Sequence, residues 1–519
     1  MIDALLDFHR NRTHGFFHWP GRGAPAGARH WREWKPPTLR AMLENAPRWW
    51  LCLLLVVSPW VYGTTSPATK DLLAFALLVL IGLFVLSLIL RRRLPRMHWL
   101  PGSITFLLLA QGWFMTWNAK LVYDPAVFYF HVVRPLMSFL PGTVDRVTSS
   151  HQMLLITGLV GAFWVAADLA SNPRWLDRIW LTISLTGVSL VLLGLAQRVT
   201  GAPGIFWDSK LDCGPTFFAT YCYHANAGAF INIVFPLIVG RTILALQRPS
   251  SDLGKAFWTL ATLMALAAAF VNVSRAATAI TIMLTAAIVA WRIRERVRDT
   301  GLFFTKRRIS AASVLLLAGI GLLVWSIGFH DAYSHWLELT ASTAANGRFV
   351  VYSAIAQHML PASGWWGLGP ASFEFTFPFF TNSLGTRVTG IWEYAHCDYL
   401  ETLVEWGIIG ALLWFLFFGI GVGRAAWTLF RFGHRWAEPT RILVVVVLLA
   451  LTSVLVHAIV DFPLQIASLQ LYVAAILGVV TNLGCSRSLR NDKSRRKASK
   501  RPEQSTRSDS GTERKAWSC

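Results

Sequence analysis

Leu72-Leu-Ala-Phe-Ala-Leu-Leu-Val-Leu-Ile-Gly-Leu-Phe-Val-Leu-Ser-Leu-Ile-Leu90 is nineteen residues without a charge, and Arg91-Arg-Arg93 follows it directly. A helix rises about 1.5 Å per residue, so this run reaches across the roughly 30 Å hydrocarbon core of a bilayer. It is apolar all round and lacks the alternation of a membrane-barrel strand. In lipid every backbone N–H and C=O must be paired within the element, so such a run folds as a helix. Comparable runs recur between Trp49 and Leu483, at 49–64, 72–90, 100–117, 151–170, 179–197, 225–240, 256–272, 276–291, 311–329, 402–422, 442–460 and 464–482. The expected fold class is therefore an all-α polytopic membrane protein of about twelve spans.

Composition and charge agree. Of the 519 residues, 54% are hydrophobic and only 14% charged, less surface charge than a soluble protein of this size carries. A net charge of +21 would suggest nucleic acid in a soluble chain, but here the charge sorts by side. With twelve spans, segments 1–48, 91–98, 171–178, 241–255, 292–310, 423–441 and 485–519 hold 39 of the 48 Lys and Arg. The opposite side keeps Lys70, Lys120, Arg134, Arg146, Arg198, Lys210, Arg275, Arg348 and Arg387. The positive-inside rule then puts both termini in the cytoplasm, and an odd number of spans would scramble the sorting. The 25 Trp suit interfacial belts. Arg91-Arg-Arg93 and the basic tail suit anionic membrane lipids as a partner, and no nucleic acid is expected.

The chain reads as three parts. Residues 1–48 form a basic cytoplasmic arm without an apolar core, so no cleavable signal peptide is expected and the first span serves as anchor. Residues 49–484 form the membrane domain, without internal repeats, and 485–519 a Lys/Arg/Ser-rich tail expected to be disordered. Outward loops fall at about 118–150, 198–224 and 330–401. The last, between the ninth and tenth spans, is far longer than a connection requires, and long loops on a rigid scaffold carry function. Within it, 348–360 reads as a short helix opened by Arg348 and ended by Pro361. A tight turn, Gly364-Trp-Trp-Gly367-Leu-Gly369-Pro370, follows, and the aromatic run 373–380 is expected to dip into the membrane interface. The six cysteines show no metal spacing. Cys213 and Cys222 either pair or stay free, free thiols being the simpler reading.

Polar residues near membrane depth are costly to bury. Arg275, in Asn272-Val-Ser-Arg275, ends a helical hairpin on the outer side, either snorkelling to the interface or contacting an anion. Arg348 places a cation at a helix start, where acids are favoured. His396 and Asp398, two apart, share no helical face unless the helix starts after them. His457 and Asp461, four apart, share a face and read first as a structural hydrogen-bonded pair. Asn226, in His224-Ala-Asn226, reads as a helix cap at the outer entry of the sixth span. All of these fall on the outer face under a topology set by other residues. Two arginines and a histidine there suit an anionic lipid head group, because Arg grips phosphate bidentately.

At these residues the sequence resembles the O-antigen ligase/O-antigen polymerase superfamily of bacterial envelope enzymes, over roughly 200–482. His396-Cys-Asp398-Tyr-Leu-Glu-Thr-Leu-Val-Glu405-Trp-Gly407-Ile-Ile-Gly410 is similar to the family's His-Asn-x-Tyr-Leu followed by Glu-x-Gly-x-x-Gly. Arg348 with Pro361, Gly367, Gly369 and Phe373 resembles its Gly-Arg helix and Gly-x-Gly turn. Ser274-Arg275, Gly214-Pro-Thr-Phe with His224-Ala-Asn226, and His457…Asp461-Phe462 resemble three further motifs, in the family's order. The departures are Cys397 for Asn, His224 for the first Asn, Tyr352 for Trp, and Leu211 where an arginine is common, which leaves Lys210 as the nearest cation.

The resemblance implies a GT-C-like fold in a bacterial inner membrane. It implies glycosyl transfer at the periplasmic face from an undecaprenyl-pyrophosphate-linked glycan to a glycan or lipid A-core acceptor, with no cofactor and no metal. Catalytic roles are implied for His396, Asp398, Arg348 and Arg275, and substrate-binding roles for Asn226, Lys210, His457, Asp461 and Glu405. A pyrophosphate leaves readily, so the need is to stabilise its growing charge, a task for Arg275 and Arg348. The attacking sugar hydroxyl needs a base near neutral pH, where histidine ordinarily titrates. His396 fits, with Asp398 orienting it or itself the base; His396 holding only the diphosphate is the alternative. Within the superfamily, ligases, chain polymerases and enzymes glycosylating protein hydroxyls are all possible, and the His457…Asp461-Phe462 ending leans toward polymerase. A twelve-span glycolipid or solute transporter is the rival, but transporters gather polar groups at the midplane.

Overall fold

The computed structural model describes residues 38–300 except 125, 128, 211 and 212, together with 343–381, 388 and 392–483. The expected ninth span at 311–329, most of the basic arm and the basic tail lie outside the described residues. The chain forms two compact units, Met1–Met42 and Leu43–Cys519, and the first contributes only the opening residues of one helix to the described structure.

Helices dominate. In order they are α1 Leu39–Trp60, α2 Pro67–Leu90, α3 Trp99–Trp117, α4 Arg146–Leu169, α5 Pro173–Val199, α6 His224–Gln247, α7 Asp252–Val271 and α8 Arg275–Thr300. Then come α9 Thr343–Ala354, α10 Phe373–Thr381, α11 Asp398–Phe432, α12 Glu438–His457 and α13 Ala467–Leu483. Among the described residues, eight helices are long and apolar enough to cross a membrane, namely α2, α4–α8, α11 and α12. The protein is an all-α polytopic membrane protein. Sequence punctuation sets the helix starts. Ser66, Asp145, Asn172 and Ser251 accept first-turn N–H bonds, and Pro67 and Pro173 occupy first-turn positions where no N–H is needed. Small residues bring spans close, as membrane packing favours. A Cβ on Gly158 of α4 would lie 2.5 Å from Leu77 of α2, and one on Gly478 of α13 2.4 Å from the Phe163 carbonyl of α4.

The longer loops contain the only two strands among the described residues, an antiparallel hairpin pairing Leu121–Asp124 with Tyr129–Val132. They also hold a second small core of Val351, Ile355, Met359, Phe373, Phe377 and Val404. The aromatic run at 373–380 thus does not turn wholly to the membrane interface. Phe373 and Phe377 are buried and stacked at 5.0 Å, while Phe379 is 70% exposed. The loop helix also differs from expectation. It is already helical from Thr343, the first described residue there, so Arg348 lies inside it and does not open it, and it runs through a π stretch, Ile355–Met359, to Ser363. The wider turn accommodates Pro361, which lacks the N–H for a regular helical bond. Cys213 and Cys222, expected as free thiols, are joined as a disulfide.

One interruption organises this end of the helices. α11 breaks at Gly407, where φ is +63°. The break frees the carbonyls of Val404, Glu405 and Trp406, which cannot stay unpaired at membrane depth. The Gly-rich turn enters and supplies the donors. Leu368 N–H bonds Val404 O and Gly369 N–H bonds Glu405 O, both at 2.9 Å, and Gln111 Nε2 bonds Trp406 O at 3.0 Å. In return Ile409 N–H bonds Trp365 O at 3.1 Å. The approach requires glycine on both sides. At Gly367 φ is +85° and a Cβ would stand 2.2 Å from Glu405 O, while at Gly407 a Cβ would stand 2.4 Å from Gly367 N. Gly367→Ala is expected to destabilise the protein by at least about 2 kcal/mol, read as a lower unfolding midpoint in detergent. Gly419→Ala, where nothing lies within 4 Å, is the matched control expected to leave the midpoint unchanged.

Candidate functional site

Asp461 is the hub of a polar cluster that gathers most of the sequence candidates. It lies in the short connection between α12 and α13, with 5% of its side chain exposed. Its Oδ1 faces His396 Nδ1 at 3.2 Å and accepts from Phe462 N–H at 3.1 Å. Its Oδ2 accepts from Tyr223 OH at 3.2 Å and lies 3.8 Å from Arg348 Nη2. Arg348 spreads its fork further, donating through Nη1 to Val460 O at 2.9 Å and through Nη2 to Tyr223 OH at 3.1 Å. The carboxylate is sealed in, whereas the Arg348 and His396 side chains keep 35% and 22% of their surface. A buried anion thus holds a cation and an imidazole at an accessible surface.

The imidazole is fixed from several directions. His396 adopts φ +53°, a left-handed conformation histidine tolerates better than most residues. Tyr352 OH donates to its carbonyl at 2.6 Å. Phe462 meets its ring edge-on at 4.9 Å and Trp392 at 5.4 Å. Phe462 in turn stacks on Tyr223 at 5.3 Å and on Tyr394 at 4.3 Å, and Tyr394 OH accepts from Lys70 at 3.1 Å.

Electrostatics follows the geometry. Burial alone would raise the Asp461 carboxyl, but the His396 hydrogen bond and the charges of Arg348 and His457 bring it below the usual carboxylate range. Burial, with the Asp461 charge beside it, pushes the Tyr223 phenol above its ordinary value, so it stays a donor. Burial pushes Tyr352 up to about 12. A carboxylate whose pKa is lower folded than unfolded stabilises the fold above its unfolded value, about 3.9, and loses that contribution as pH falls through the folded value. Acid unfolding of the wild type should therefore carry this carboxylate's contribution. Asp461→Asn should unfold with a shallower dependence on pH below about 5, measured as unfolding midpoint against pH.

Two expected pairings do not form. His457 and Asp461 are not side-chain partners. α12 ends at His457, and although the Asp461 N–H still bonds the His457 carbonyl at 3.1 Å, the carboxylate turns away to His396 and Tyr223. His457 is fully buried, and neither ring nitrogen has a hydrogen-bond partner among the described residues. Nor does Asp398 orient His396. α11 starts at Asp398, which turns it inward, and its Oδ2 accepts from Leu464 N–H at 2.9 Å. Glu405 is likewise buried, accepting from Phe373 N–H at 3.2 Å. These acids tie the outer loops to α11.

Arg275 and Asn226 lie around the first turn of α6. Asn226 does not cap that helix. Tyr223 occupies the N-cap position, and Asn226 donates its own N–H to Tyr223 O at 3.1 Å. Asn272 Nδ2 bonds His224 O at 2.9 Å, and after Val273, at φ +64°, Ser274 leads into Arg275 at the start of α8. Arg348 thus borders Tyr223, and Arg275 follows three residues after the Asn272 that bonds His224. Lys210 sits on an exposed turn, where its N–H bonds Asp208 at 2.9 Å, and no contact among the described residues joins it to the cluster. Tyr223 and Phe462 were not among the sequence candidates. Their only signal is position, beside His224-Ala-Asn226 and directly after Asp461.

Comparison with known proteins finds one family likeness. No curated protein matches the chain. Residues 260–415 match the family model described as O-Antigen ligase, a stretch that contains Arg275, Arg348, His396 and the Gly367–Gly407 contact. Over residues 260–415 the chain is thus similar to the O-antigen ligase family, the superfamily whose motifs the sequence carries.

Proposed function

We propose that the protein is a membrane glycosyltransferase of cell-surface polysaccharide assembly. It takes glycan from an undecaprenyl-pyrophosphate carrier at the periplasmic face of the inner membrane, without a metal. The observation that carries this reading is the single buried Asp461 holding both Arg348 and His396. An ionised carboxylate only accepts, so His396 Nδ1 donates to it and Nε2 keeps the lone pair a base needs. In the step proposed, an acceptor sugar hydroxyl attacks the anomeric carbon and its proton passes to His396 Nε2. The anomeric C–O bond to phosphate breaks, and the electron pair leaves with the diphosphate. Arg348, with Arg275, stabilises that charge as it grows.

The charge sorting across the spans supports cytoplasmic termini. The Cys213–Cys222 disulfide supports an oxidising compartment for the opposite side. The His457…Asp461-Phe462 ending leans the reading toward polymerisation of repeat units over transfer to lipid A-core. Gels of surface polysaccharide beside lipid-linked glycan from a gene deletion separate the two. Single repeat units alone mean a polymerase, and long carrier-linked chains with bare lipid A-core mean a ligase. An unchanged pattern in both lanes overturns the reading.

A further inference from the structure

Lys70, near the start of α2, reaches Tyr394 beside the site just described, and the other end of α2 runs into a different charged cluster. Arg91, Arg93 and Arg96 all lie within electrostatic reach of Arg48 there. The carboxylates that face them are Asp168 and Glu44. Asp168 is already committed. Arg93 grips it with both Nη atoms at 2.6 and 2.7 Å, and Arg96 N–H bonds its Oδ1 at 3.0 Å. Arg48 stands 3.8 Å from the same carboxylate, and its nearer bond is to Asn45 Oδ1, at 3.0 Å. Arg91 Nη2 donates to Glu44 O at 2.8 Å and to Asn45 Oδ1 at 3.3 Å, while its Nε, 3.7 Å from the Glu44 carboxylate, is buried without a hydrogen-bond partner among the described residues.

Arg48 is only 8% exposed, and a buried guanidinium that must share its one carboxylate, Asp168, with Arg93 is costly. Two carboxylates leave four arginines with an uncompensated positive charge. The aromatic walls set the depth. Trp49 and Trp175 meet edge-on at 5.0 Å, with Arg178 over Trp175 at 4.6 Å and over Trp49 at 5.0 Å, and Arg48 5.4 Å from Trp175. Tryptophan boxes of this kind sit at head-group level.

We infer that Arg48, Arg91, Arg96 and Arg178, walled by Trp49 and Trp175, seat the phosphate of an anionic phospholipid between α1, α2 and α5. The phosphodiester brings the missing negative charge and acceptors that match the guanidinium fork, as basic pockets between membrane helices do elsewhere. The inference is independent of glycan transfer, because it concerns the opposite end of α2.

The test uses the full chain in nanodiscs of phosphatidylcholine, with phosphatidylglycerol titrated in. The unfolding midpoint should rise and saturate, and phosphatidylglycerol should copurify through detergent exchange, as read by native mass spectrometry. Arg48→Gln with Arg91→Gln should weaken retention about tenfold while the Arg93–Asp168 pair still holds the fold. Arg178→Gln, at an exposed position, should weaken it less and fold as the wild type. No response to phosphatidylglycerol, or equal retention by the double variant, overturns the site. The same midpoint shift from millimolar inorganic phosphate in phosphatidylcholine alone overturns the lipid assignment.

Discussion

His396→Ala is expected to lower glycan transfer by about 10²–10⁴-fold, the usual contribution of a positioned general base, while the protein still inserts and keeps its helical content. The side chain is accessible, so its loss opens no large cavity. Asp461 keeps Tyr223, the Phe462 N–H and Arg348 as partners. The measurement is initial rate against acceptor concentration, beside circular dichroism of the same sample. Wild-type rates in this variant would remove His396 from the chemistry.

Arg348→Ala should be of comparable severity, about 10²–10³-fold, in line with removing one preorganised donor from a developing negative charge. The guanidinium also joins two loops, through Val460 O and Tyr223 OH. Arg348→Lys should therefore recover little. An ammonium keeps the charge but cannot reach two acceptors with a rigid fork. If lysine restores most of the rate, charge alone suffices and the forked geometry is not needed.

The spans were legible in the sequence because lipid enforces one solution, an apolar helix. The run at 72–90 became Pro67–Leu90, and the cap residues Ser66 and Asn172 mark their helix starts. The outer-face candidates were legible as a set. Which of them touch was not, because that depends on where helices stop. Asp461 and His457 are four apart, yet α12 ends between them, and Asp461 turns to a histidine 65 positions earlier in the chain. Asp398, two residues from His396, turns inward to Leu464 for the same reason, as the first residue of α11. The Gly367–Gly407 contact was present in the sequence only as two glycines within motifs. Its meaning, a broken helix whose freed carbonyls are met by an incoming turn, needs the third dimension.

The central claim is that the cluster around Asp461 breaks a glycan–diphosphate bond. Purified protein in proteoliposomes, given undecaprenyl-pyrophosphate-linked glycan labelled in its sugar, an acceptor glycolipid and a chelator, tests it most directly. The account predicts that label moves onto the acceptor or into longer chains, with free undecaprenyl pyrophosphate appearing in step, and that Arg348→Ala and His396→Ala block both. Label that crosses the bilayer still attached to its original carrier would contradict the account and make the protein a transporter.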